Sequence, residues 1–433
     1  MQTSPLAPPL ALPGLGGPTD PSHDELLRRG IIHTDVQRGV AGLLVGFFVC
    51  LMCVVPLSQA YLEHREGEDS PFLDLLRRKP SAESVRQLEK DIEQGSYAKS
   101  YTQPRMQLLL TRWGRVGNKL ALVGQRGYLY YKPGITHVSG PGFLDPDVQR
   151  SREKDVLDSG ETPIVADPRP AIFAFHEALA QRGIRLVLLP VPDKAALAGE
   201  PLHGRSAPRA RPENPDFRAL LRELQGRGVA VLDVAPGVVS NSSLFLAQDT
   251  HWTPSFMERV ARDLASYVKQ LTPLPESSNG GRWHAVPQPM ARLGDLVDML
   301  KLPETQSAFQ PQSVTVHSVR DAEGNPWEAD EQADVLLLGD SFTNIFSLEG
   351  MGWGDAAGLA PQLSLALGRP LDVIAQNDAG AFATRQALAR ELASGSDRLH
   401  GKRVVIWEFA SRELSVGDWK RIDWVHPAHE EGK

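Results

Sequence analysis

Cysteine is nearly absent: the 433 residues include two, Cys50 and Cys53, both within the most apolar stretch of the chain. Everything after residue 53 therefore has no thiol. That excludes a disulfide framework, a thiolate zinc site and a cysteine nucleophile for the rest of the protein. An excess of one charge is missing too. Lys and Arg number 46 against 53 Asp and Glu, a net charge of −7, so there is no electrostatic footprint for nucleic acid. With 41% hydrophobic and 23% charged residues the chain is not of the low-hydrophobicity, high-charge kind that stays unfolded. The composition describes a folded protein of one large domain plus accessory segments.

One stretch has no charge at all. Residues 39–58 (GVAGLLVGFFVCLMCVVPLS) are apolar and, at about 1.5 Å per residue, long enough for the roughly 30 Å hydrocarbon core of a bilayer. Arg28, Arg29 and Arg38 flank it on one side, Arg65 on the other. This bias favours a cytoplasmic N-terminus and an exported C-terminal domain held by a membrane anchor. Ser58 and Ala60 also form a small-x-small pattern, so a cleaved signal with a soluble exported product is the alternative. The expected organisation is a disordered tail over 1–37, a transmembrane signal-anchor over 38–58 and a polar stalk over 59–105 with breakers at Pro71, Pro80 and Pro104. A large folded domain over 106–425 and a tail over 426–433 complete it.

After Pro104 short apolar runs alternate with amphipathic stretches. The runs are 184–191, 229–234, 334–338, 371–375 and 402–408; helices are expected over 171–182, 214–226, 255–271 and 382–393. Strands without polar alternation, separated by helices, predict an α/β fold with a mainly parallel sheet covered on both faces. Residues 273–333, rich in Pro, Ser and Gly, break the rhythm and read as an insertion over one end of the sheet.

In such sheets ligands bind beyond the carboxyl ends of strands. The run 334–338 leads into Gly339-Asp340-Ser341, which places Ser341 on the tight turn opening a helix, its hydroxyl exposed and its own amide able to help hold an oxyanion. A bland alternative is that Asp340 or Ser341 only caps that helix. Asp249 and His251 are two residues apart, so in an extended backbone both side chains leave on the same side. The carboxylate would take the imidazole Nδ1–H and leave Nε2 free as a general base. Thr253-Pro254 reads as the N-cap and first residue of the following helix. Together these residues supply nucleophile, base and orienter for acyl chemistry. Asn377 and Gly380, after the run 371–375, are candidates for further oxyanion donors. Trp252, Trp407, Trp283 and Trp327 are candidates for stacking on sugar rings, with Trp407 first; burial under a loop is the competing reading for Trp283, Trp327 and Trp353. His426 and His429 are metal-capable but lie in the tail, and no metal or other cofactor is expected.

Five motifs, in order, resemble the SGNH-hydrolase-like O-acetyltransferases that modify exopolysaccharides, the alginate AlgJ/AlgX type. They are Val123-Gly124-Gln125-Arg126-Gly127-Tyr128-Leu129-Tyr130, Leu189-Pro190-Val191-Pro192-Asp193-Lys194, Asp249-Thr250-His251-Trp252, Gly339-Asp340-Ser341-Phe342, and Ile406-Trp407-Glu408-Phe409 through Arg412-Glu413-Leu414. The resemblance covers about residues 106–416, and Asp-Thr-His-Trp followed by Gly-Asp-Ser-Phe is its specific part. It implies an SGNH-like fold with Ser341 as nucleophile, His251 as base and Asp249 as its orienter. The acid and base precede the serine, an order this family shares and ordinary SGNH esterases reverse. Tyr128, Lys194, Trp252, Trp407 and Arg412 become candidates for substrate binding. Where the family usually continues Lys-Tyr-Pro, this chain has Lys194-Ala195-Ala196, which puts its acceptor contacts at that point in doubt.

The implied activity is acetyl transfer, through an acetyl-serine, onto hydroxyls of an exported polysaccharide, alginate-like or another. An exported domain has no access to cytosolic acetyl-CoA, so the resemblance implies a membrane-bound O-acyltransferase partner that supplies acetyl groups. An SGNH-type carbohydrate acetylesterase and a non-catalytic polysaccharide-binding scaffold of an export complex are the alternatives.

Overall fold

The computed structural model describes residues 37–67, 81–203, 211–276, 282–377 and 380–424. The expected tail over 1–37, except its last residue, the tail over 426–433, and with them Arg28, Arg29, His426 and His429, lie outside the described residues. The chain divides into two compact units, Met1–Thr102 and Gln103–Lys433.

In the first unit the apolar stretch is one helix, Arg38–Glu66, that runs through Pro56 and past the last residue of the uncharged run. Among the described residues it is the one helix long and apolar enough to cross a membrane. Its 29 residues measure about 44 Å, more than the hydrocarbon core requires. A helix over Ala82–Gly95 starts from a reciprocal cap between Ser81 and Ser84. The next helix, Tyr97–Leu109, contains Pro104 instead of ending at it. A proline costs one rung of the hydrogen-bond ladder, and here the flanking turns keep the helix whole.

The second unit has nine strands among its described residues: β1 (Ala121–Val123), β2 (Leu129–Tyr131), β3 (Arg185–Val191), β4 (Ala230–Val231), β5 (His284–Arg292), β6 (Gln312–Arg320), β7 (Val335–Gly339), β8 (Asp372–Ala375) and β9 (Val404–Ala410). Five of them form one sheet in the order β4-β3-β9-β7-β8, every neighbouring pair parallel. These are the five apolar runs of the sequence, and each is mainly apolar because helices cover both faces, with Arg185, Asp372 and Glu408 the charged exceptions.

Strand alternation sorts the side chains. Val187, Leu189, Val335, Leu337, Val404 and Ile406 face one core with the helices Pro254–Leu271 and Leu359–Leu367. Leu186, Leu188, Leu336, Leu338, Val405 and Trp407 face the other, with Pro168–Gln181, Phe217–Gly226 and Ala383–Ala393. Each fully buried aliphatic side chain contributes about 1.5–3 kcal/mol of transfer free energy.

Two antiparallel ribbons complete the unit. β1 and β2 form a short hairpin. β5 and β6 pair over nine residues each, inside the stretch expected to be an insertion over one end of the sheet. Pro287 and Pro289 lie within β5. Proline is tolerated there because a two-stranded ribbon leaves one edge of each strand without a partner.

Candidate active site

β7 ends at Gly339, and the chain turns at once into the helical turn Ser341–Asn344. Asp340 caps that turn, its Oδ1 accepting the Phe342 N–H at 2.8 Å. The expected alternatives therefore coexist: the aspartate is the cap, and the serine beside it is left for other partners. A side chain at Gly339 would bring its Cβ within 2.2 Å of Thr343 Oγ1, so the tight turn admits only glycine. Asp340 Oδ2 accepts the Ala410 N–H at 2.8 Å. Glu408 Oε2 accepts the Asp340 N–H at 2.9 Å and the Thr343 hydroxyl at 2.8 Å. The turn is thus tied to β9, its neighbour in the sheet. Glu408 is fully buried; burial first, then the Asp340 charge, push its carboxyl well above the usual range.

The loop before Pro254–Leu271 meets this turn. His251 Nε2 lies 2.8 Å from Ser341 Oγ, and His251 Nδ1 lies 2.6 Å from Asp249 Oδ1. The three residues that the sequence sets 92 positions apart thus share one hydrogen-bonded line. Thr253 precedes the helix as expected, but its hydroxyl donates to Ser243 O at 3.0 Å instead of capping. The imidazole packs edge-on to Phe342, with ring centroids 4.7 Å apart.

Asp249 is 1% exposed, and both of its oxygens are occupied. Oδ1 takes the His251 ring and backbone N–H; Oδ2 takes the Trp353 indole N–H at 3.0 Å and the Asp295 backbone N–H at 3.1 Å. Burial alone would raise its pKa, but the bonds and charge of His251, the Asp295 amide and Trp353 outweigh burial and hold it below the usual carboxylate range. For His251, burial opposes charge most strongly; the hydrogen bond and charge of Asp249, with Asp295 behind it, outweigh that and raise the imidazole above its ordinary value. Asp295 Oδ2 is 3.9 Å from His251 Nδ1, and its Oδ1 accepts the Thr250 N–H at 2.7 Å. Burial and the neighbouring Asp249 push Asp295 up to about 6. Gly294 lets this loop press close, since a Cβ there would stand 2.2 Å from Gln248 O.

Asp249, His251 and Asp295 also place their ligand-type atoms within 4.8 Å of one another. Both Asp249 oxygens and Asp295 Oδ1 already accept N–H groups, so these three side chains are tied together by hydrogen bonds.

Lys194 corrects a sequence expectation. Its ammonium is buried and donates to four carbonyls: Leu129 O and Leu246 O at 2.6 Å, Ala247 O at 2.8 Å and Asp249 O at 3.1 Å. It cannot reach a substrate; it fastens the aspartate loop to β2. Burial, opposed by Asp249 and Asp295, pushes its pKa down to about 7. Tyr128 is half-buried beneath this ammonium, its hydroxyl donating to Ser242 O at 3.0 Å.

Trp252 and Trp407, expected to stack on sugars, are 0% exposed. Trp252 stands edge-on to Phe342 at 5.3 Å. Trp407 lies on the core face of β9 among Phe175, Phe409 and Trp419. Neither has a ring face free for a ligand. Trp353 is buried under its loop, and what sequence reasoning missed is the acceptor it meets there. Trp327 is partly buried with its indole N–H on Ser364, and Trp283 is partly exposed beneath the Arg282 guanidinium.

Arg412 does stand at the site, 5.6 Å over the Phe342 ring and 3.4 Å from Asp193, with 12% of its side chain exposed. Asn377 is exposed, its Oδ1 accepting from Asn344 Nδ2 at 2.8 Å. Gly380 lies against Asp340, close enough that a Cβ would stand 2.7 Å from the Asp340 Cβ, and its carbonyl accepts the Trp407 N–H at 3.3 Å. Asp295 and Trp353 gave no signal in the sequence. Each reaches Asp249 from tens of residues away, and neither is part of a recurring motif.

A family model described as "SGNH hydrolase-like domain, acetyltransferase AlgX" matches residues 151–411. The probable alginate O-acetylase AlgJ of Azotobacter vinelandii is 28% identical over 273 residues, 60% of this chain and 67% of that protein. The probable alginate O-acetylase AlgJ of Pseudomonas aeruginosa is 26% identical over 258 residues, 57% and 64% of the two chains. The chain thus spans about two thirds of the length of these relatives. Among solved structures, the O-acetyltransferase domain of Pseudomonas putida AlgJ aligns with a TM-score of 0.49 at 19% identity, over 69% of this chain and 93% of that one. Pseudomonas aeruginosa AlgX aligns with a TM-score of 0.45 at 16% identity, over 68% and 66%.

Proposed function

The chain belongs to the AlgX-type family of SGNH hydrolase-like acetyltransferases, and from that premise we propose that it transfers acetyl groups to hydroxyls of an exported polysaccharide through an acetyl-Ser341 intermediate. The observation that carries this reading is the unbroken line Asp249 Oδ1, His251 Nδ1, His251 Nε2, Ser341 Oγ, with links of 2.6 and 2.8 Å. In the first half-reaction Ser341 Oγ attacks the acetyl carbonyl of the donor while His251 Nε2 takes its proton; the donor's leaving group departs with that proton. In the second, a sugar hydroxyl gives its proton to His251 and attacks the acetyl carbon. The C–O bond to Ser341 breaks, and the serine oxygen recovers the proton. Asp249 holds the ring and balances the imidazolium.

The Ser341 amide, at the first position of its helical turn, is the first oxyanion donor in this mechanism, and Asn377 and Gly380 are the further candidates. A single donor of this kind is worth about 3 kcal/mol. Arg412 is the substrate contact we favour, because it combines a fixed guanidinium with partial exposure beside Phe342; Tyr128 is the second. The relatives are named for alginate, and alginate or another exopolysaccharide is the acceptor here. The helix Arg38–Glu66 serves as inner-membrane anchor with the catalytic domain in the periplasm, where a membrane-bound acyltransferase partner supplies the acetyl group.

The test is mass spectrometry of the protein after exposure to a chromogenic acetyl ester, with and without oligosaccharide acceptors. An acetyl adduct on the Ser341 peptide that acceptor discharges into acetylated sugar supports transfer. An adduct lost to water at the same rate with or without acceptor makes the protein an esterase. No ester loss, with polymer binding equal in wild type and Ser341→Ala, leaves a scaffold.

A further inference from the structure

The chain's acidity is not evenly spread. Residues 94–144 contain no Asp or Glu, yet hold Lys99, Arg105, Arg112, Arg115, Lys119, Arg126 and Lys132. Within that stretch the structure exposes an apolar face. Met106, Leu109, Leu110 and Trp113 recur at spacings of three and four, so they share one side of the helix and the π-helical turn Leu110–Gly114 that extends it. Val116 and Leu120 follow. Trp113 is 82% exposed and Met106 57%. Single exposed apolar residues are ordinary; a run of six on one surface is not.

The face is held, not frayed. Gln107 Nε2 donates to Thr111 Oγ1 at 3.0 Å, and the Thr111 hydroxyl donates to Val116 O at 3.1 Å. Asn118 Nδ2 anchors the segment to Met299 O at 2.7 Å. Arg115 takes a left-handed conformation, φ 52°, which a non-glycine residue adopts at a cost. Fixed hydrogen bonds and a strained residue therefore present Trp113 and Val116 outward. Around them Arg112, Arg115 and Lys119 are exposed and form no ion pair among the described residues.

We infer that this face, residues 106–120, lies on the anionic phospholipid surface of the membrane that the Arg38–Glu66 helix crosses, with Trp113 at the headgroup level. The inference rests on reading that helix as a membrane span. Three observations select a bilayer as the occupant. Only 39 residues of chain separate Glu66 from Met106, so the bilayer is within the tether's reach. Apolar side chains with unpaired cations and no acid match an anionic interface. An exposed tryptophan is the side chain most at home at that depth.

The experiment uses the full chain with Cys50→Ser and Cys53→Ser, reconstituted in nanodiscs of phosphatidylethanolamine and phosphatidylglycerol. Spin labels go singly at Leu51→Cys, Trp113→Cys, Val116→Cys and, as an exposed control, Leu157→Cys. Accessibility to oxygen and to a water-soluble nickel chelate is then measured. The proposal expects labels at 113 and 116 at least threefold less open to nickel than the label at 157, with oxygen access kept. The charge reversal Arg112→Glu, Arg115→Glu, Lys119→Glu should abolish that difference. A label at 51 that is lipid-exposed while those at 113 and 116 are open to nickel overturns the surface proposal and leaves the anchor standing. A label at 51 open to nickel overturns the anchor and the proposal with it. Shielding of 113 and 116 from oxygen and nickel alike means that protein covers the face, and equally removes the bilayer as its occupant.

Discussion

Asp249 is the residue on which the geometry of the site converges. Four N–H groups from three separate stretches of chain meet its two oxygens, so its substitution removes an orienter and leaves buried donors with a poorer partner. For Asp249→Asn we expect turnover to fall by roughly 10⁴ with the acetyl ester, because the amide favours the wrong imidazole tautomer. Steady-state kinetics below the variant's own melting transition would check it. In the proposed mechanism His251 must be neutral to take the serine proton, and its pKa is raised above 6.5 by Asp249 and Asp295 against burial. The rate should therefore climb with pH through a midpoint above that value. In Asp295→Asn one of the raising charges is gone, and the midpoint of kcat/KM against pH should move down; a midpoint unmoved or raised would contradict this role. Lys194→Met takes the ammonium from four carbonyls, of which Ala247 O still accepts the Leu129 N–H. Unmet buried acceptors cost about 1–3 kcal/mol apiece, so calorimetry should show a loss of about 3 kcal/mol or more. Lys194→Arg should not restore it, since a planar fork does not fill a site shaped for a compact ammonium.

At the scale of the element, the strand-to-helix turn after β7 is the most exacting piece of backbone. Gly339→Ala would drive a methyl into Thr343, whose hydroxyl is fixed by Glu408. We expect destabilisation of about 1–3 kcal/mol from overpacking, together with lost activity as Ser341 is displaced, read by denaturant titration and ester turnover. The five parallel strands were legible in the sequence because strands buried on both faces leave unbroken apolar runs. The long β5–β6 ribbon was not: its strands alternate, are half-exposed, and carry Pro287 and Pro289. Asp-x-His and Gly-Asp-Ser were legible as chemistry because their spacing limits where the side chains point. Trp407 misled for the same reason in reverse. A motif placed it near the site, whereas strand alternation turns it to the opposite core.

On the scale of the whole molecule, pH acts through a group far from solvent. The buried Glu408 has a raised pKa in the folded protein; its unfolded value is about 4.3. Between those two values the folded state binds the extra proton. Its contribution to stability is therefore full below the unfolded pKa and is lost as pH rises through the folded one. Glu408→Gln keeps the shape and cannot ionise, so its melting temperature should fall less with rising pH in that window than the wild type's. Thermal scans from pH 4 upward decide the matter.

The loop that delivers the Asp295 amide to Asp249 belongs to the same excursion, residues 273–333, as the β5–β6 ribbon. Exchanging that whole excursion between relatives, in the hope of transplanting a taste for a different sugar chain, would also remove a support from beneath the histidine's partner. A graft of that stretch should therefore lower reactivity even where the fold survives, whereas single substitutions elsewhere in it leave the Asp295 amide in place.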